Sequence, residues 1–424
     1  MSERLLIRAP RLFDGVSQKL AEHAYLVVED GLIVALGPQS ELAESADEAF
    51  DRTVLLHADS TVLPGLINMH THLSFSALPT MFDDAVSESD AVKLIRIVTN
   101  MRAAVCAGVT TVRDCGTWPR LMIPARTAAE QGLAPGPRVV ASGAITTTGG
   151  HCWYCSTEAD SESEVRKAVR THIKDGVDFL KLFATGGNVT PGSDALVTQF
   201  TEAEMCAATQ EARKGGRRTA AHAHGLEGVR NAIAARVTTI EHCSFQTETG
   251  IGWNDAMVDE IVDAGIYVCP TFFRGTAKLA SDPGYIFNAR EKMFMTRRRQ
   301  RAQLTTRLAE RGVMLVSGND AGVPHCRVED FPGDLVATVE ECGLSPLAVI
   351  RSATSVAAEA LGRTEIGQVA QGKAADILAV RGNPLTDIRD LERIELVVAR
   401  GRVVDSEGGG GVDKRCVNAV QLRR

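Results

Sequence analysis

Residues 61–72 read Thr61-Val62-Leu63-Pro64-Gly65-Leu66-Ile67-Asn68-Met69-His70-Thr71-His72. An apolar, β-branched run of strand type ends here in two histidines spaced i, i+2. On a strand, that spacing puts both imidazoles on one face. Four further pieces of the chain have the same form. Val177-Asp178-Phe179-Leu180 precedes Lys181, and Thr219-Ala220-Ala221 precedes His222. Val237-Thr238-Thr239-Ile240 leads to His242, and Val313-Met314-Leu315-Val316 leads to Asp320. Residues converging from the C-terminal ends of different parallel strands are what a (β/α)8 barrel uses for chemistry. Histidine, carboxylate and a modified lysine are ligand types suited to a divalent metal such as zinc.

Between these runs, strand-like and helix-like segments alternate through the middle of the chain, a pattern that argues α/β. Eight strands are expected, near 62–68, 109–113, 138–142, 177–182, 218–222, 237–241, 266–270 and 313–317. Ser161 to Glu164 and Thr201 to Glu204 fit the capping box. Ser345-Pro346 places a cap before a first-turn proline. Gly176, Gly265 and Gly312 each follow a helical pattern and stop it. Short strands separated by Gly and Asp occupy the N-terminal segment, and the C-terminal segment repeats that texture around 376–380, 396–398 and 402–404. Gly408-Gly409-Gly410-Gly411 opens an expected flexible tail.

The chain has 424 residues, enough for one large and one small domain. Its 44% hydrophobic and 23% charged content is that of a soluble globular enzyme. No apolar run approaches the roughly 18 residues of a membrane helix. Met1-Ser2-Glu3-Arg4 lacks a secretory pattern, so a cytoplasmic location is expected. A net charge of -7 gives nucleic-acid binding no electrostatic support. The basic run Arg297-Arg298-Arg299-Gln300-Arg301 reads as a solvated helix face. The ten cysteines read as free thiols, including the C-x-x-C of Cys152-Trp153-Tyr154-Cys155, which has no second pair.

The stretches PGLINMHTHL, TTIEHC, SGNDAG and GKAADILAV, in that order, resemble the amidohydrolase superfamily from about residue 5 to 405. Within it, the similarity is to prolidase-like peptidases and to hydrolases of aryl amides, ureas and carbamates. The resemblance implies a (β/α)8 TIM barrel over 63–362. It also implies a small β-sandwich from 1–62 and 363–424, with 408–424 as the tail. Its ligands come from strands 1, 4, 5, 6 and 8. By position these are His70 and His72, Lys181, His222, His242 and Asp320. Lys181 resembles the lysine that is carboxylated by CO2 and bridges two divalent ions, with Zn2+ expected and Mn2+ or Co2+ as alternatives. A free ammonium has no lone pair for a metal, whereas a carbamate offers two oxygens. Such a centre activates water for hydrolysis of an amide-like C–N bond, with Asp320 moving the proton to the leaving nitrogen.

Loops after the strands set specificity. Phe75, Leu78, Met81 and Phe82 follow strand 1. After strand 3, His151 resembles a residue that hydrogen-bonds the substrate, and Trp153 and Tyr154 are expected on the pocket wall. His224 and His325 are further candidates for substrate contact. No Arg or Tyr anchor for a carboxylate stands beside His222, which favours a neutral, apolar amide, urea or carbamate over a dipeptide or N-acyl amino acid. His224-Gly225-Leu226-Glu227 spells H-x-x-E, which leaves open a mononuclear deaminase of a heterocycle. A catalytically dead relative would lack ligands, and none is missing. The expected partner is a small-molecule substrate, with no nucleic acid and no membrane, in a homo-oligomer.

Overall fold

The computed structural model describes residues 4–42, 49–279, 282–404 and 421–423. Two nine-stranded sheets account for its strands. The first joins both ends of the chain. Its order is 402–403, 394–399, 377–381, 60–64, 5–12, 21–29 and 32–38, with 52–55 attached to strand 5–12 and 421–423 attached to 52–55. Of the expected tail, 408–420 and 424 lie outside the described residues. Residues 421–423 pair antiparallel with 53–55.

The second sheet holds the parallel strands β1 (Leu66–Thr71), β2 (Val109–Asp114), β3 (Arg138–Thr146), β4 (Phe179–Phe183), β5 (Arg218–Gly225), β6 (Thr239–Thr247) and β7 (Tyr267–Cys269). They lie side by side in that order. Helices follow most of them, including 90–106, 119–130, 162–174, 202–214 and 226–234. Every residue of β1, β2 and β4 is buried, the pattern of parallel strands covered on both faces. This is an α/β fold with a curled parallel sheet.

Two expectations shift. The strand near 62–68 is two strands. Ser60–Pro64 pairs with 377–381 in the first sheet, and Leu66–Thr71 enters the second. The change of sheet falls at Gly65, not at residue 62. Gly65 N donates to Asp376 O, and Leu66 N donates to Gly108 O, both at 2.9 Å. A Cβ at Gly65 would stand 2.2 Å from Thr110 Oγ1, so only glycine passes there. The segment 313–317 forms no ladder. Single parallel bridges tie Leu315 to Val268 and Ala321 to Thr71. Met69 N donates to Ser317 O, while Ser317 N turns away to Ser352 O.

The helix signals have local causes. Thr201 and Glu204 form the full reciprocal capping box. Ser161 accepts from Glu164 N, but the Glu164 carboxylate takes Asp160 N instead, leaving half a box. Ser345 accepts from Ala348 N ahead of Pro346.

Candidate metal centre

The C-terminal ends of β1, β4, β5 and β6, together with the 313–320 segment, bring the six expected ligand residues together. His70 Nε2 and His72 Nε2 lie 3.3 and 3.1 Å from Asp320 Oδ1. The His70 and His242 ring centroids are 5.2 Å apart, and those of His222 and His242 are 4.5 Å apart. Ligand atoms of His70, His242 and Asp320 lie within 4.8 Å of one another, and so do those of His222, His224 and His242. His224, first read as a candidate for substrate contact, therefore stands inside the ligand cluster, stacked on His242.

Hydrogen bonds set the histidine tautomers. His70 Nδ1 lies 2.7 Å from Glu241 Oε2, an acceptor, so the proton sits on Nδ1 and the Nε2 lone pair faces Asp320. Thr271 Oγ1 donates to Pro270 O and so accepts from His242 Nδ1 at 2.7 Å. The Gly186 carbonyl accepts from His222 Nε2 at 3.1 Å, which frees Nδ1. Burial, followed by the Lys181 charge, brings His70 down to about 4. Burial and neighbouring histidines hold His222 and His242 well below the usual value. Burial, then Arg301, brings His224 down to about 3. These are neutral imidazoles, the form that binds metal. Burial alone would push the Asp320 carboxyl up, but His70 and His72 outweigh it and hold it low.

Lys181 supplies the test of fit. Its Nζ is buried and has no hydrogen-bond partner among the described residues. Its charge depresses His70, His222 and His242 together. A buried ammonium that makes no hydrogen bond is costly, even with the charges of Asp320 and Glu241 nearby. A carbamate on the same nitrogen is an anion facing lone-pair donors, which metal ions would join. The residues fit divalent ions.

Beneath the ligands lies a network that the sequence reading missed. Arg113 donates through Nη2 to Glu241 Oε1 at 2.6 Å and through Nε to Met69 O at 2.6 Å. Its Nη1 donates to Thr239 Oγ1 at 2.8 Å. Strand alternation sends Glu241 and His242 to opposite faces. His242 adopts φ 67°, and this left-handed turn brings both side chains inward. Only the adjacency in Ile240-Glu241-His242 hinted at it.

The pocket above is lined by His151, Phe183, Val189, Phe273, Phe294 and Val323, among others. His151 is buried, with its ring 4.7 Å from His222 and its Nδ1 without a partner. His325 lines the rim, with Nε2 2.8 Å from Glu291 Oε1. Trp153 and Tyr154 do not line it, which corrects the sequence expectation. Cys152 takes φ 57°, and the chain turns. Tyr154 then packs among Phe75, Phe82 and Met81, and Trp153 points outward at 39% exposure. Phe75 stacks on His72 at 4.8 Å rather than facing substrate, and Leu78 is exposed. The basic run is a solvated face only in part, at Arg299 and Gln300. Arg298 is buried against Glu341, and Arg297 and Arg301 line the pocket. Glu227 is exposed and away from the pocket, so the H-x-x-E spacing delivers no proton shuttle. The nine described cysteines are free thiols, and no described helix is long and apolar enough to cross a membrane.

The family model described as "Amidohydrolase family" matches residues 61–404. The ochratoxinase of Aspergillus niger is 25% identical, over 91% of this chain and 82% of its own length. Its crystal structure superposes with a TM-score of 0.80 at 23% identity, over 96% of this chain and 97% of that one. A Xaa-Pro dipeptidase solved with methionine in its active site gives a TM-score of 0.83 at 28% identity, over 95% of this chain and 99% of that one. Family members use divalent metals, and the ligand clusters above suit them. The chain belongs to the amidohydrolase family and is a hydrolase acting on carbon–nitrogen bonds.

Proposed function

We propose that the protein hydrolyses the C–N bond of a small, largely apolar amide, urea or carbamate at two divalent ions. The ions are held by His70, His72, Lys181, His222, His242 and Asp320, with Lys181 carried as its carbamate. The observation that carries this reading is the buried Lys181 Nζ, which has no hydrogen-bond partner among the described residues and faces neutral imidazoles. Bound divalent ions supply a nucleophile at neutral pH and polarise the carbonyl under attack. Zinc suits the imidazole and carboxylate donors, and manganese or cobalt suits the same set.

The chain's own groups do the rest. Asp320 takes the proton of the attacking water and delivers it to the leaving nitrogen. His151, opposite His222, donates to the substrate carbonyl oxygen. Glu241 and Thr271 hold the His70 and His242 rings, which fixes the lone-pair directions. Phe183, Phe273 and Phe294 keep water from the reacting bond. The 28% identity to a Xaa-Pro dipeptidase favours a second reading, a peptide-like or N-acyl amino acid amide as substrate.

The same reading takes the curled sheet as a closed (β/α)8 barrel, with 313–317 as its eighth strand. The chain-end sheet is then the small β-sandwich domain, made from 1–62 and 363–424. The enzyme works as a cytoplasmic homo-oligomer on a free small molecule, without nucleic acid or membrane. The test is metal analysis beside a hydrolysis screen. Protein made with ample zinc should hold close to two ions per chain. Lys181→Ala should lose most activity and regain part of it with short-chain carboxylic acids. Full activity with one tightly bound ion would sink the two-ion reading.

A further inference from the structure

At the opposite end of the parallel sheet from the metal centre lies a second cavity, of about 600 Å3. It sits where the strands begin, against Val139 and Val140 of β3, Phe179 of β4 and Thr219 of β5. Besides the buried Arg113, five arginines line it. They come from four separate elements. Arg126 belongs to helix Pro119–Glu130, and Arg138 opens β3. Arg217 and Arg218 stand at the start of β5, and Arg363 follows helix Ser355–Leu361. In a chain of net charge -7 this grouping does not follow from composition.

The carboxylates within reach leave part of that charge unanswered. Asp178 is filled. Its Oδ2 accepts from Arg126 Nη1 at 2.6 Å and Ala141 N at 2.8 Å, and its Oδ1 accepts from Arg363 Nη2 at 3.1 Å. Arg138 Nη2 reaches Asp376 at 3.3 Å, but its Nε is buried without a partner among the described residues. Glu130 and Glu365 are exposed and stand 3.9 and 3.6 Å from Arg126 and Arg363, where ion pairs are weak. Arg217 and Arg218 make no ion pair among the described residues. Arg217 donates Nε to Val177 O at 2.8 Å and Nη1 to Gly215 O at 3.4 Å, and Arg218 donates Nη1 to Ala360 O at 2.9 Å. The rest of each guanidinium is uncommitted. Burial, followed by Arg138, also pulls neighbouring Arg400 below the ordinary guanidinium value. This end of such strands ordinarily serves stability. Like charges gathered around an open volume oppose it.

We infer that this cavity binds a small molecule carrying two phosphate groups, held by Arg217 and Arg218 with Arg138 and Arg363 beside them. A planar guanidinium meets phosphate oxygens through parallel, charge-assisted hydrogen bonds. One carboxylate would answer one arginine. A phosphate presents acceptors on several faces, as donors from separate elements require. The volume leaves room beyond the phosphates, and Val139, Val140 and Phe179 offer an apolar wall to an organic body. The site is distinct from the metal centre and does not depend on the reaction proposed above.

The test is calorimetric titration of the purified protein at fixed ionic strength with inorganic pyrophosphate and with adenosine 5′-diphosphate. Wild type should bind both saturably, the nucleotide more tightly. The reverse order would support the phosphate site with an inorganic occupant. Arg217→Gln and Arg218→Gln should each weaken binding at least ~10-fold, the scale of lost charge-assisted hydrogen bonds. Arg218→Lys keeps the charge without the planar fork and should restore only part of the affinity. Far-UV circular dichroism checks the fold of each variant. Wild type that binds neither compound overturns the site. Binding unchanged in both glutamine variants overturns it too, because the phosphate is then held elsewhere, as at the metal centre.

Discussion

The base of the parallel sheet and its mouth are built from neighbouring residues of the same strands, yet they satisfy their polar groups differently. At the base, Arg113 spends three nitrogens on Glu241, Met69 and Thr239, and Glu241 also receives His70. Nothing in that network waits for a partner. At the mouth, Lys181 Nζ, His72 Nδ1 and His151 Nδ1 are buried without one. Left-handed backbone at Cys152, His242, Thr271, Asp320 and His325 gathers there as well. Each such defect costs on the order of 1–3 kcal/mol. That network is complete when the chain folds, and the mouth is completed by what it binds.

The largest expected effect on turnover separates chemistry from folding. Asp320→Asn should lower turnover at least ~100-fold, the scale of a lost proton-transfer group. Its far-UV circular dichroism should match wild type. Unchanged turnover would remove Asp320 from proton transfer.

Next comes the base. Arg113→Met strands the Glu241 carboxylate in a dry site, and breaking such a pair costs about 3–5 kcal/mol. Urea unfolding should show the loss directly. A cost below about 1 kcal/mol would mean that solvent reaches Glu241 and that the contrast is false.

The smallest effect is a slope. In the folded protein His70 and His224 sit at about 4 and about 3, below the ordinary 6.5. The unfolded chain therefore takes up protons first on acidification. The stability tied to their neutrality is present above pH 6.5 and is lost as pH falls from 6.5 toward 4 and 3. Thermal unfolding of chelator-stripped protein should show Tm falling through that window. A Tm that rises on acidification would mean that the mouth histidines are charged in the folded state.

The convergence of His70, His72, Lys181, His222, His242 and Asp320 was legible because each follows an apolar run of strand type. The supporting groups were not. Glu241 was hidden by the alternation rule, which His242 breaks with its left-handed φ. Trp153 and Tyr154 were placed on the pocket wall because the turn at Cys152 leaves no mark in composition. Arg297 and Arg301 were read as solvated because a run of arginines on a helix with little amphipathic pattern says nothing about what that helix lies across. The segment 313–317 is visible in the sequence as an apolar run, but its partners at Ser352 and Met69 are set by tertiary contacts.

Gly65 has a mechanical consequence. It is the sole residue between two hydrogen-bonded ladders, and both its own N–H and that of Leu66 are already committed. No slack chain exists there, so the junction has no pivot. Five residues downstream the same strand delivers His70. Tension applied to the chain-end sheet reaches His70 along a short, stiff lever rather than dissipating in a linker. The sheet made from the two termini thus acts as a clamp on the register of β1, and loosening it would be felt as misalignment of His70 and His72 before any strand came apart.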